Sequence, residues 1–492
     1  MRIIAVALLA GAGMLACSDT DNGPEGPGAA GSSGAGGTTV DASNTGGTGN
    51  SGASGRGGAG GAGGAGGAGG AGGAGSGGSG GGAGASPTDA APASDARDAG
   101  ASTDSGGSAD AGGSGTDVAD VGSTDAGTND AVVPPTVNGC GMAKLYQASD
   151  DPAVAGPWPV GVKTVKIPIA GASLVAEVWY PAPIGSEVGQ SIATYDLTAW
   201  LPPGQASKIP PAENSLQKCN CYRDLPIDAS HGPYPGVIFI HGTGSFRTAS
   251  LSTMTQWASR GFVVVAADHF GLYLTDFLAG ASLGLCMGSG VLQDLGRDVD
   301  AIIAGLTMKS GDFAFLGSSA DMTRIGISGH SQGAWNAGNF STKPNVQVDM
   351  PIATNAAVAA SSTLKSSLIV SGMADTVLAY SGDQSGYAGS PAPKRLVGIT
   401  GADHINVTDL CWEKNPNGKR AIEVATTAGV CGAAFLSALA KCGTVDAKVA
   451  VNIVNAVTTA ALEETLNCVD RKAFFSGLAM RYPQVGDFQH SP

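Results

Sequence analysis

Between residues 165 and 180 apolar and polar positions alternate. Val165, Ile167 and Ile169 precede Gly171, and Leu174, Ala176 and Val178 follow it. Period-two alternation around a glycine predicts an antiparallel hairpin. Beyond residue 232 the pattern changes to short, continuously apolar runs at 237–240, 262–266, 325–327, 352–353, 368–370 and 396–399. Such runs suit strands buried on both faces, as in a parallel sheet. Helical periodicity lies between them, at 253–259 and more clearly at 291–306. There Val291, Leu295, Val299, Ile302, Ile303 and Leu306 share one stripe. Alternating strand and helix predicts a mostly parallel, doubly wound α/β sheet. Residues 184–232, rich in Pro and Ser, fit neither period and read as irregular. From 420 to 484 the helical spacing returns, with Val449, Ile453, Val457 and Ala461. It predicts two or three helices covering one face of the sheet.

No such pattern exists from 18 to 133. That stretch holds 39 of the 79 glycines, no Lys and no aromatic residue; the first aromatic of the chain is Tyr146. It cannot bury enough apolar surface to offset its ordering entropy, so it reads as a disordered linker over 18–135. The folded part is then 136–492. As a Gly-rich coil, the linker would span about 60 Å r.m.s.. It also carries a net charge of −11 out of the chain's −14. The rest is nearly neutral, with no basic patch of the kind nucleic acid requires.

Residues 1–17 read MRIIAVALLAGAGMLAC: one Arg, then an apolar run too short to span a bilayer. This is a secretory leader. Its end, Met14-Leu15-Ala16-Cys17, resembles the lipobox of bacterial lipoproteins, which implies lipidation of Cys17. The chain is expected to be exported and held at the cell envelope by that anchor alone, or released. Eight further cysteines remain: Cys140, Cys219, Cys221, Cys286, Cys411, Cys431, Cys442 and Cys468. An even number in an exported domain predicts disulfides of open connectivity. The Cys219-x-Cys221 spacing is too short for a zinc knuckle, and no metal is expected.

The chemistry centres on Gly329-His330-Ser331-Gln332-Gly333. This fits the G-x-S-x-G nucleophile elbow, a strand-to-helix turn that lifts a serine hydroxyl above a sheet. Its placement carries the reading, since a predicted strand precedes Ser331 and a helix over 332–340 follows. A serine nucleophile needs a base and an acid to orient it. Only His404 and His490 follow Ser331. His490 falls in the last three residues, where chain ends fray. His404 follows the last predicted strand and is the candidate base. Asp375, just past the run at 368–370, is the candidate acid, and Asp349, one strand earlier, is its competitor. Asp403 adjoins His404, so its side chain should point elsewhere. His241-Gly242-Thr243-Gly244-Ser245 follows the run at 237–240. The amides of Thr243 and Gln332 are the candidate oxyanion donors.

With these residues in view, the segment from about 155 to 410 resembles α/β-hydrolases of the platelet-activating-factor acetylhydrolase and dienelactone-hydrolase-like group, which includes bacterial polyester hydrolases. Val178-Trp179-Tyr180-Pro181, Tyr234-Pro235-Gly236-Val237, the stretch from His241 to Thr248, Ala258-Ser259-Arg260-Gly261-Phe262, the elbow, and His404-Ile405-Asn406-Val407-Thr408-Asp409 carry the likeness. The resemblance implies the α/β-hydrolase fold and cofactor-free hydrolysis of carboxylic esters. It makes Ser331 the nucleophile, His404 the base, and Thr243 and Gln332 the oxyanion donors. In the acetylhydrolase branch the acid stands after the strand that follows the elbow, which here reaches Asn355. In the polyester and dienelactone branches it follows the next strand, where Asp375 stands. The expected substrate is a small or polymeric ester, with a lipid ester as the alternative. A non-catalytic surface-binding lipoprotein on the same fold would be missing one of these residues, and none is missing.

Overall fold

The computed structural model describes residues 133–279 and 291–492. The leader, Cys17, most of the linker and Cys286 lie outside the described residues. Two short strands, β1 (Thr136–Asn138) and β2 (Lys144–Tyr146), pair with each other. The hairpin predicted around Gly171 forms as β3 (Val160–Ile169) and β4 (Ala172–Pro181). Gly171 sits at φ 77°, a conformation that favours glycine. The segment read as irregular holds two strands, β5 (Ile192–Asp196) and β6 (Leu216–Arg223), joined by short 3₁₀ turns. Both strands lack a continuous apolar run.

The remaining strands are β7 (Tyr234–Ile240), β8 (Val263–Ala267), β9 (Ala320–His330), β10 (Val346–Ile352), β11 (Ser366–Gly372), β12 (Lys394–Ile399) and β13 (Val485–Ser491). All but β1 and β2 join one sheet in the order β13-β12-β11-β10-β9-β7-β8-β4-β3-β6-β5. From β8 to β12 every neighbouring pair is parallel. The mostly parallel α/β sheet therefore stands as expected. Three local readings change. The apolar run at 352–353 is only the end of β10, whose pattern is broken by the buried Asp349. The final residues form β13, and His490 pairs with Arg395 on the sheet edge instead of fraying. The helix expected from 291 begins at Leu295, because the Asp294 side chain caps it by accepting from the Arg297 amide at 3.0 Å.

Helices cover both faces. On one lie α1 (Leu251–Ser259) and, from the C-terminal segment, the 20-residue helix Ala447–Leu466. On the other lie α2 (Leu295–Met308) and α3 (Gln332–Phe340). The C-terminal segment is helical, as its periodicity implies, but it is cut into five helices. Two of them, α4 (Ala421–Thr427) and α5 (Ala433–Leu439), are separated by Gly429 and Gly432 at positive φ. The 20-residue helix is α6, and Lys472–Ser476 and Leu478–Arg481 follow it. Disulfides join Cys140 to Cys468, Cys219 to Cys221 and Cys411 to Cys442, and Cys431 is also disulfide-bonded. No helix among the described residues is long and apolar enough to cross a membrane.

α6 is locked to α1 by buried polar groups as well as by apolar packing. Glu463 accepts from Arg260 Nε and Arg471 Nε, each at 2.7 Å. All three side chains are buried. The two guanidiniums also donate to the carbonyls of Ser149, Asp150, Asp151 and Val154, fastening the entry strap to the sheet's cover. Removing the shared carboxylate would leave two buried cations facing each other. Glu463→Gln should therefore lower unfolding free energy by about 3–5 kcal/mol in denaturant titration. A loss below about 1 kcal/mol would show that the triad contributes no net stability.

Candidate active site

Ser331 stands between β9 and α3 at φ 56°, ψ −119°, a conformation that non-glycine residues rarely hold. Its neighbours explain how. A Cβ on Gly329 would lie 2.5 Å from the Gly333 carbonyl carbon, and one on Gly333 would fall inside the Ile240 carbonyl oxygen. A Cβ on Gly242 would meet His330 Nδ1 at 2.9 Å and Ser331 Cβ at 3.1 Å. The turn and the loop after β7 therefore pack too closely for side chains. The Ser331 amide is held by the Ile352 carbonyl at 3.0 Å, which ties the turn to β10.

Ser331 Oγ lies 2.9 Å from His404 Nε2, and His404 Nδ1 lies 2.7 Å from Asp375 Oδ2. A carboxylate only accepts, so Nδ1 carries the proton and Nε2 offers its lone pair to the hydroxyl. Asp375 is held in turn, because its Oδ1 accepts from the amides of Val377 and Leu378 at 2.7 Å each. Asp403 does point elsewhere. It accepts from the Thr376 amide at 2.7 Å and shapes the loop that carries Asp375. Asp349 does not reach the histidine. Both its oxygens are buried without a hydrogen-bond partner among the described residues, and burial raises its carboxyl well above the ordinary range.

Two further histidines fasten the loops around Ser331. His330 Nε2 donates to the His404 carbonyl at 3.0 Å, joining the elbow to the histidine loop. Burial, reinforced by His404, lowers its pKa to about 3, so it is neutral. His241 accepts at Nε2 from the His269 amide at 3.2 Å, which leaves its Nδ1 proton for the Gly242 carbonyl at 2.9 Å. Burial, with His269 nearby, lowers it to about 4. Both histidines stand beside named motif residues, but nothing in their spacing marks these contacts. The amides of Thr243 and Gln332 donate to no acceptor among the described residues, and both residues line the same cavity as Ser331 and His404. Two free N–H groups beside a serine hydroxyl suit stabilisation of an oxyanion.

That cavity measures about 580 Å³, within the range of small-ligand sites. Its roof comes from residues 197–218 and from α4 and α5. The two parts are stitched together. Lys208 Nζ donates to the Gly429 carbonyl at 2.8 Å, the Cys431 amide to Gln205 at 3.1 Å, and Asn415 Nδ2 to the Glu213 carbonyl at 3.0 Å. Below them Leu201, Ile209, Val430, Ala433 and Leu436 form a small apolar cluster of their own. The roof is also pinned to the sheet. Trp200 Nε1 donates to Asp268 at 2.8 Å, Arg247 pairs with the same carboxylate, and the Trp200 ring stacks on Phe246. No group of His, Cys, Asp or Glu suited to a metal ion occurs among the described residues.

Residues 144–271 match the family described as platelet-activating factor acetylhydrolase, isoform II. The mostly parallel sheet is that of an α/β-hydrolase fold, and the match points to a carboxylic ester hydrolase. The match covers β2 to β8, including the Gly242–Thr243 loop, and ends before Ser331, Asp375 and His404. Among curated proteins none matches this sequence. Among solved structures, the ferulic acid esterase from Streptomyces cinnamoneus is 19% identical, with a TM-score of 0.44, over 63% of this chain and 91% of that one.

In this hydrolase the orphaned Asp349 should tie stability to pH. The folded chain keeps a proton that the unfolded chain releases near its ordinary pKa of 3.8, so stability falls as pH rises above that value. Asp349→Asn removes the titration. Its Tm should exceed the wild-type Tm at pH 7, and the gain should vanish near pH 4. A gain of equal size at both pH values in scanning calorimetry would contradict this.

Proposed function

We propose that this α/β-hydrolase is a serine carboxylesterase. Ser331 attacks the ester carbonyl, and Asp375 orients His404. The observation that carries the reading is the unbroken hydrogen-bond chain from Ser331 Oγ through His404 to Asp375, in one cavity with two unengaged backbone amides. His404 Nε2 takes the hydroxyl proton as Oγ bonds to the carbonyl carbon. The Thr243 and Gln332 amides hold the resulting oxyanion. As it collapses, His404 delivers the proton to the leaving alcohol, and an acyl-Ser331 ester remains. Water then repeats the sequence and releases the acid. No step needs a cofactor or a metal.

The roof over the cavity favours a discrete ester with a sizeable apolar group over a polymer lying on an open surface. The family match brings a lipid-like acetyl ester into the same range of substrates. For the N-terminus, we infer export, attachment through a lipidated Cys17, and a linker that lets the enzyme reach outward. The sequence of the leader and the glycine-rich stretch support this.

Ser331→Ala should lower kcat for p-nitrophenyl ester hydrolysis by at least about a thousandfold and abolish labelling by a fluorophosphonate probe. Near wild-type turnover would reject the mechanism. Asp375→Asn should cost on the order of ten-thousandfold in kcat, because the amide supports the wrong tautomer of His404. Asp349→Asn should keep most of the activity, and the reverse ranking would move the acid to Asp349.

A further inference from the structure

The cavity wall is mostly apolar, and one carboxyl in it is held in an unusual way. Glu413 lines the same cavity as Ser331. Its Oε2 accepts from Gln217 Nε2 at 2.6 Å. Gln217 is itself buried and cannot flip. Its Nε2 also donates to the Thr248 carbonyl at 3.1 Å, and its Oε1 accepts from Thr248 Oγ1 at 2.6 Å. The other Glu413 oxygen, Oε1, has no hydrogen-bond partner among the described residues and is not sealed off by protein atoms.

A second carboxyl, Asp409, sits close behind. It is fully buried, and it accepts from the Ser252 amide at 2.7 Å, from Ser252 Oγ, and from Trp412 Nε1 at 3.1 Å. With three donors Asp409 is the better place for a negative charge, and Glu413 the better place for a proton. Burial and the charge of Asp409 both raise the Glu413 carboxyl well above its ordinary range. Since Oε2 already receives an N–H, the proton belongs on Oε1. Glu413 thus offers an O–H donor at the cavity wall.

We propose that Glu413 is a substrate-recognition residue whose Oε1–H donates to an uncharged oxygen, a hydroxyl or an ether, carried by the otherwise apolar group of the ester. The proposal rests on the esterase reading of Ser331. A donor set in a mostly apolar wall discriminates, because a substrate without the matching oxygen leaves it unpaired.

Paired p-nitrophenyl esters of linear acids from four to ten carbons, with and without a terminal hydroxyl, test this in the full chain. For wild type the ratio of kcat/KM, hydroxylated over plain, should peak at one chain length. Glu413→Leu should flatten that peak by about tenfold, the scale of one hydrogen bond. Glu413→Gln, which keeps a donor, should retain most of it. The ratio does not depend on the fraction of folded enzyme, and fluorophosphonate labelling counts the active sites in each preparation. Turnover with the same ratio profile in wild type and Glu413→Leu overturns the proposal and leaves the esterase reading intact. Wild type that neither turns over any ester nor labels at Ser331 overturns both.

Discussion

The geometry around Ser331 depends on one close approach. The chain turns from β9 into α3 within a single residue of unfavourable backbone conformation. That is possible only because Gly329, Gly333 and Gly242 bring bare backbone against it. The parallel sheet supplies the force that holds the turn, because Ile352 at the end of β10 accepts the Ser331 amide. Everything that serves the hydroxyl is then placed by neighbouring strand ends. Asp375 follows β11, His404 follows β12, and Thr243 follows β7. His330 and His241, both neutral, bind these loops to one another rather than to solvent.

Much of this arrangement is legible in the sequence, for identifiable reasons. Parallel strands buried on both faces leave continuous apolar runs, and the elbow leaves its glycines. The order of Ser331, Asp375 and His404 along the chain restricts the partners further. What escapes detection has equally specific causes. β10 is hidden because Asp349 interrupts its apolar run with a buried, unpartnered carboxyl. β13 is an edge strand of mixed polarity, Val485-Gly-Asp-Phe-Gln-His-Ser, and no local pattern distinguishes it from a tail. β5 and β6 lie at the edge of the sheet, where polar residues such as Gln217 and Lys218 break up any apolar run. The stitching of 197–218 to α4 and α5 joins segments some two hundred residues apart. Single residues such as Gln205 and Lys208 make it, and spacing along the chain says nothing about them.

Buried charge is used differently in different places. Glu463 is matched by two guanidiniums, and Asp268 by Arg247 and an indole N–H; both fasten covering elements to the sheet. Asp375 is matched by two amides and an imidazole, so its carboxylate is fixed in direction as well as position. Asp349 has no match and remains a liability to the folded state. Glu413 lies between these extremes, with one oxygen committed and one open. Burial alone therefore does not mark a carboxyl as functional. What distinguishes these groups is the number and direction of their donors.

The disulfide between Cys411 and Cys442 closes a loop whose two ends lie 5.8 Å apart at Cα, a few residues beyond His404. The loop contains α4 and α5, the C-terminal half of the cavity roof. A segment that leaves and re-enters a scaffold at almost one point can change length and sequence without shifting what lies on either side. The residues between the two cysteines could therefore be replaced as a unit, reshaping the roof while Ser331, Asp375 and His404 keep their places. The staple thus marks a boundary across which the two sides of the loop need not move together.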